Sequence, residues 1–252
     1  MSCSSAARSE PLAGTAPPQP NWLFVEAPGA WGREAADALG ELRPSLPDSW
    51  RLVLVRRADR PLRRQRDRFV WSSTPAGARW WRLPPDAPVV PDTPGDPVAQ
   101  EMLFVCCNGG RDRCCALLGR RVVDALRSDR AWECSHLGGH RFAATGVRLS
   151  DRMLFGRLDV AAARRVLAGD TPLDQVRGPA GWEPAVQVAA LAVWRQRGVV
   201  PITAGHFDGT LVRLQLHDGS QHQVRVERWS VSARPLSCGS AAEPGTALRA
   251  LG

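Results

Sequence analysis

The stretch Val105-Cys106-Cys107-Asn108-Gly109-Gly110-Arg111-Asp112-Arg113-Cys114-Cys115 decides how this chain is read. With the preceding Met102-Leu103-Phe104 it predicts a short buried strand ending at Cys106. A loop follows over Cys107–Arg113, then a helix over about Cys114–Arg127. In that helix Leu118, Val122 and Leu126 recur at i, i+4 and i+8, one face of a helix. Ala131–Cys134 predicts the next strand, and two strands joined through a helix run parallel. Phe142–Leu149 and Met153–Leu158 predict a hairpin around Ser150-Asp151. Asp159 is placed to cap a helix over Val160–Ala168 that Gly169 ends, and Glu183–Arg197 predicts a further helix.

Strand, helix, strand, strand, strand, helix is the thioredoxin-like pattern of a mixed sheet, here lacking its usual middle helix. We place that domain at residues 99–200. Upstream, residues 21–98 form a smaller α/β unit, with strands at Trp22–Glu26, Arg51–Arg56 and Arg79–Leu83, and a Pro-rich linker from Pro84 to Pro97. Val25…Gly29…Gly32 followed by a helix echoes Val105…Gly109-Gly110 followed by a helix, as a degenerate repeat would. Downstream, Leu211–Leu216 and Gln223–Trp229 flank His217-Asp218-Gly219-Ser220, a β-hairpin signal, in a region placed at 201–239. Residues 1–20, rich in Ser, Ala and Pro, read as a disordered tail, and 240–252 as a frayed one.

His136-Leu137-Gly138-Gly139-His140 lies just past the second of the two parallel strands. Cysteines and histidines at short internal spacings are a metal-ligand signature. Cys106 closes one strand, His136 follows the end of the next, and Cys114 and Cys115 open the intervening helix. All of them gather at the carboxyl edge of the sheet, where ligands bind in open α/β folds. Gly138 and Gly139 allow the chain to turn sharply between the imidazoles. Adjacent strand residues point to opposite faces, so one of Cys106 and Cys107 reaches the site.

The segment resembles the sucrase/ferredoxin-like family, whose pattern is Cys, eight residues, Cys, a spacer, then His-x-Gly-Gly-His. The likeness extends through Trp22–Glu34, Trp132-Glu133, His140–Ala144, Phe155–Leu158, Pro184–Gln187 and Ser237–Gly239. It departs at Cys107-Asn108, where members often carry Thr-His. The resemblance implies a thioredoxin-like ferredoxin with one [2Fe–2S] cluster on Cys106, Cys115, His136 and His140. It implies electron transfer, with coupling to protons through the outer imidazole nitrogens, and a redox carrier rather than a stand-alone enzyme. Its partners are then donor and acceptor redox proteins. The alternatives weighed are a structural zinc on the same four residues and a thiol oxidoreductase using the vicinal cysteines. The first lacks the family context, and the second lacks Cys-x-x-Cys.

Composition bounds the rest. The 252 residues are 44% hydrophobic and 23% charged, a globular mix, with a net charge of +8 carried entirely by arginine. No apolar run is long enough to span a membrane, and no secretory-type apolar core opens the chain, so a cytoplasmic protein is expected. Seven cysteines are too sparse for a disulfide scaffold. The run from Arg56 to Arg68 suits an acidic partner protein; nucleic acid is disfavoured. Arg111 and Asp112 are expected to pair with each other. Cys107, Cys114 and Cys134 are expected as small buried residues and Cys238 as a free thiol. Sugar hydrolysis needs a carboxylate pair that no spacing here singles out.

Overall fold

The computed structural model describes residues 2–58, 67–91 and 93–251. Ten strands build one mixed sheet: β1 (Asn21–Glu26), β2 (Trp50–Arg56), β3 (Arg68–Thr74), β4 (Gly77–Leu83), β5 (Asp96–Pro97), β6 (Leu103–Cys106), β7 (Ala131–Cys134), β8 (Gly146–Arg148), β9 (Met153–Phe155) and β10 (Val176–Pro179). Their order is β10-β9-β8-β6-β7-β2-β1-β3-β4-β5. A second, antiparallel sheet has β11 (Ile202–Phe207), β12 (Leu211–Leu216), β13 (Gln221–Pro235) and β14 (Ala242–Leu251) in sequential order. The helices are α1 (Cys3–Ala6), α2 (Arg120–Leu126), α3 (Val160–Leu167) and α4 (Pro184–Arg197).

The centre of the large sheet follows the sequence reading. β6 runs parallel to β7 and antiparallel to β8, and β8 is antiparallel to β9. β1 repeats the scheme: it is parallel to β2 and antiparallel to β3, which is antiparallel to β4. The two sets meet back to back where β2 pairs antiparallel with β7, through Val55↔Cys134 and Arg56↔Glu133. The faint sequence repeat thus appears as a repeated pairing pattern. The two units expected as separate share one sheet. The Arg56–Glu133 ion pair at the seam, 2.6 Å long, has both side chains buried.

Strand alternation separates the layers. Leu103, Val105 and Cys107 face a core that includes α2, α3 and α4, while Phe104 and Cys106 face a second core with Trp22, Trp132 and Leu137. α4 lies against β10 and against all four strands of the second sheet. Nine of its fourteen residues are buried, which explains why its apolar residues are not confined to one stripe. Asp159 caps α3 through the Ala162 N–H at 2.8 Å, as its position predicts.

Three expectations are corrected. Residues 2–20 are not a loose tail: Cys3 and Ala7 are buried, and Glu10 pairs with Arg141 and Arg234. The 240–252 stretch is not frayed, because β14 pairs with β13 from Arg225↔Leu251 to Pro235↔Ala242 and turns the expected hairpin into a four-stranded sheet. The Pro-rich segment is not wholly a linker, since Arg79↔Pro97 and Trp80↔Asp96 add a short edge strand. The first segment is held by partners more than a hundred residues away, and the other two by the strand that precedes each, which their own composition does not reveal.

Candidate metal centre

β6 delivers Cys106 to the carboxyl edge of the sheet, and the helical turn Cys115–Gly119 that leads into α2 delivers Cys115. Both are 1% exposed. Interaction with the Cys115 side chain, then with the His136 ring and the Asn108 backbone, outweighs burial and holds the Cys106 thiol well below its ordinary range. The same contact with Cys106, together with burial, pushes Cys115 up. A buried pair with one member favoured as thiolate is the result.

The histidines approach from the loop after β7. Gly138 and Gly139 both have left-handed backbones, with φ of 85° and 71°, so the turn expected between the imidazoles is present. It brings the rings of His136 and His140 to 4.6 Å between centroids, 27° from parallel. Both residues are half-buried. His140 Nδ1 is buried and has no hydrogen-bond partner, an orphaned polar atom. Burial, then the charge of His136, lowers the pKa of His140. Cys106 thus neighbours Cys115 and His136, and His136 stacks on His140.

Two cations lie beside them. Arg51 donates to the His136 carbonyl at 2.9 Å, and Arg177 donates to the Gly138 carbonyl at 2.9 Å. Arg177 also donates to the hydroxyl and the carbonyl of Thr15, and is 2% exposed. Among the described residues neither guanidinium has a carboxylate partner. Burial, and then Arg141 and Arg51, bring Arg177 down to about 9, while the thiols of Cys115 and Cys106 oppose that shift.

Other expectations resolve differently. Arg111 pairs with Glu34 at 2.8 Å, not with Asp112. Asp112 instead caps the helix start, accepting from the Cys114 N–H at 2.8 Å, and accepts from the Cys238 N–H at 2.8 Å and the Ser237 hydroxyl at 3.0 Å. Cys107 and Cys134 are buried, and burial raises both thiols. Of the Arg56–Arg68 run, residues 59–66 lie outside the described residues. Arg56 is consumed in its ion pair, and Arg57 stacks over Phe69 and Trp132.

The sequence reading missed one group. Cys3, Asp112, Cys114 and Cys238 place their donor atoms within 4.8 Å of one another and could hold a metal ion; among the described residues they are the one group of three or more that does so. Cys114 and Cys238 are thus not isolated thiols. The available signal was arithmetic: Cys3, Cys134 and Cys238 remain over once the central motif is counted, and two of those three belong to this group. No helix is long and apolar enough to cross a membrane among the described residues.

The family model described as sucrase/ferredoxin-like matches residues 12–176, about two thirds of the chain. The chain belongs to that family. No curated protein and no solved structure matches it.

Proposed function

We propose that this member of the sucrase/ferredoxin-like family is an electron carrier in which Cys106, Cys115, His136 and His140 hold one [2Fe–2S] cluster in a thioredoxin-like domain. The observation that carries the reading is the donor set as a whole. Cys106 meets both Cys115 and the His136 ring, and His136 stacks on His140, yet the four do not close into one compact group of donor atoms within 4.8 Å of one another. One tetrahedral zinc would draw all its donors to within about 4 Å. Two irons, one with two thiolates and one with two imidazoles, suit the wider spread. The orphaned Nδ1 of His140 fits the same donor set.

When bound, the cluster would accept and release one electron at a time. The chain's own residues set the conditions. Cys106 and Cys115 are shut from water, while the half-buried histidines leave an edge toward solvent and a redox partner. Arg51 and Arg177 fix positive charge beside the site, which favours the reduced state. The outer imidazole nitrogens would be the link to protons. The order β9-β8-β6-β7, with β8 antiparallel to its neighbours, supports the thioredoxin-like assignment. A thiol oxidoreductase fits less well, because catalytic cysteines need access and this pair has almost none.

The test is anaerobic purification with iron and sulfide analysis. The expected result is about two irons and two sulfides per chain with visible absorption. Protein from iron-replete cells without iron and sulfide overturns the proposal.

A further inference from the structure

We propose that Cys3, Asp112, Cys114 and Cys238 form a second metal site, separate from the four residues above, which binds one zinc-like thiophilic dication and clamps α1 and the turn after β13 to the helix that carries Cys115. The sulfur separations are 3.6 Å for Cys3–Cys114, 3.5 Å for Cys3–Cys238 and 3.1 Å for Cys114–Cys238. Tetrahedral zinc–sulfur bonds of about 2.3 Å place sulfurs about 3.8 Å apart, so a small outward movement seats the ion. The Asp112 oxygens lie 3.7 and 3.8 Å from the Cys3 sulfur, close to the sulfur–oxygen edge of such a tetrahedron, about 3.5 Å.

The carboxylate is already held in place. Oδ2 accepts from the Cys238 N–H and the Ser237 hydroxyl, and Oδ1 from the Cys114 N–H; the Cys3 thiol also donates to the carboxylate, but that proton leaves when Cys3 binds metal. One Oδ1 lone pair is therefore left to complete a set of three sulfurs and one oxygen. Four protein donors with none left for substrate is the closed arrangement of a structural site. Cys3 is fully buried and Cys114 is 4% exposed, so hydrolytic access is poor as well.

Binding releases the thiol protons, because the metal takes thiolates. Ser4 prepares one of them: its hydroxyl donates to the Cys114 sulfur at 3.3 Å. The ligands come from α1, from the start of the helix and from the turn after β13. The clamp thus closes chain separations of 111 and 124 residues. A link of that span is where a metal adds most to a fold, since it removes the largest loop entropy from the unfolded chain.

The site stands independently of the cluster, and the experiment keeps the two apart. Elemental analysis of the purified 252-residue protein, incubated with zinc under reducing conditions and desalted, is expected to give about one zinc per chain besides the iron. Cys3→Ser and Cys238→Ser should each lose most of that zinc and keep the visible absorption. Iodoacetamide mapping of the wild type needs no variant and decides the matter if either one folds poorly. Cys3, Cys114 and Cys238 should be protected with zinc and labelled together after a zinc chelator. Wild type that takes up no zinc, variants that retain it in full, labelling unchanged by the chelator, or a disulfide among the three would each overturn the proposal.

Discussion

Cys114 and Cys115 are consecutive, yet their thiols lead to different places: Cys114 lies 3.1 Å from Cys238, while Cys115 interacts with Cys106. Successive residues on a helix point about 100° apart, so a vicinal pair at a helix start can serve two sites. The pair is therefore unsuited to act as one dithiol. Cys115→Ser should abolish visible absorption, whereas Cys114→Ser should retain it while losing the zinc. Absorption spectra and metal analysis of the two variants check this, and equal loss of absorption in both would contradict the division.

Arg177 should raise the reduction potential. It is a buried guanidinium with no carboxylate partner among the described residues, and its carbonyl contact fixes it against the histidine loop. Arg177→Met removes a positive charge that favours the reduced state. The midpoint potential should fall by about 50–100 mV, the effect of roughly 1–2 kcal/mol of interaction in a partly buried site. Redox titration monitored by visible absorption measures it; an unchanged or higher potential would show that the charge is not felt.

Glu10 should make the fold acid-sensitive. Burial opposes its ionisation, but paired hydrogen bonds from Arg234 and Arg141, at 2.7–2.8 Å, hold its pKa at about 2 against an ordinary 4.5. A carboxylate with a lowered folded-state pKa contributes its full stability above the unfolded value. That contribution is lost as pH falls from about 4.5 to about 2. Glu10→Gln leaves Arg141 and Arg234 without their carboxylate and should cost about 3 kcal/mol at neutral pH. Chemical denaturation of both proteins at pH 7 and pH 3 should show the gap narrowing at the lower pH.

Gly139→Ala should disturb the histidine loop. Its backbone is left-handed, and a Cβ there would lie 2.7 Å from the Arg177 guanidinium. The substitution should cost about 1–2 kcal/mol and loosen the cluster. Thermal unfolding, followed at the visible absorption and in the far-ultraviolet, should show the first signal lost at lower temperature.

The sequence was most legible where structure is local. The apolar run before Cys106, the 3.6-residue period after it and the Asp159 cap each depend on residues within a few positions. Strand direction was enough to gather the cysteines and histidines at one edge of the sheet, while the choice of Cys106, Cys115, His136 and His140 among them came from the resemblance to the family. Cys3, Glu10 and Cys238 were illegible because their partners lie more than a hundred residues away. β14 was illegible because its Gly, Ala and Pro content has little strand character until β13 supplies a template. The Arg111–Asp112 pairing failed for a plainer reason. The helix start claims Asp112 as its cap, and Glu34 of the facing unit claims Arg111.

The most direct test of the central claim is electron–nuclear double resonance on the reduced protein. Two histidines on one iron predict two strongly coupled nitrogens, one of which disappears in His140→Cys if the cluster still assembles. A reduced cluster with no strongly coupled nitrogen would mean that thiolates alone hold the iron, and would contradict the assignment of His136 and His140.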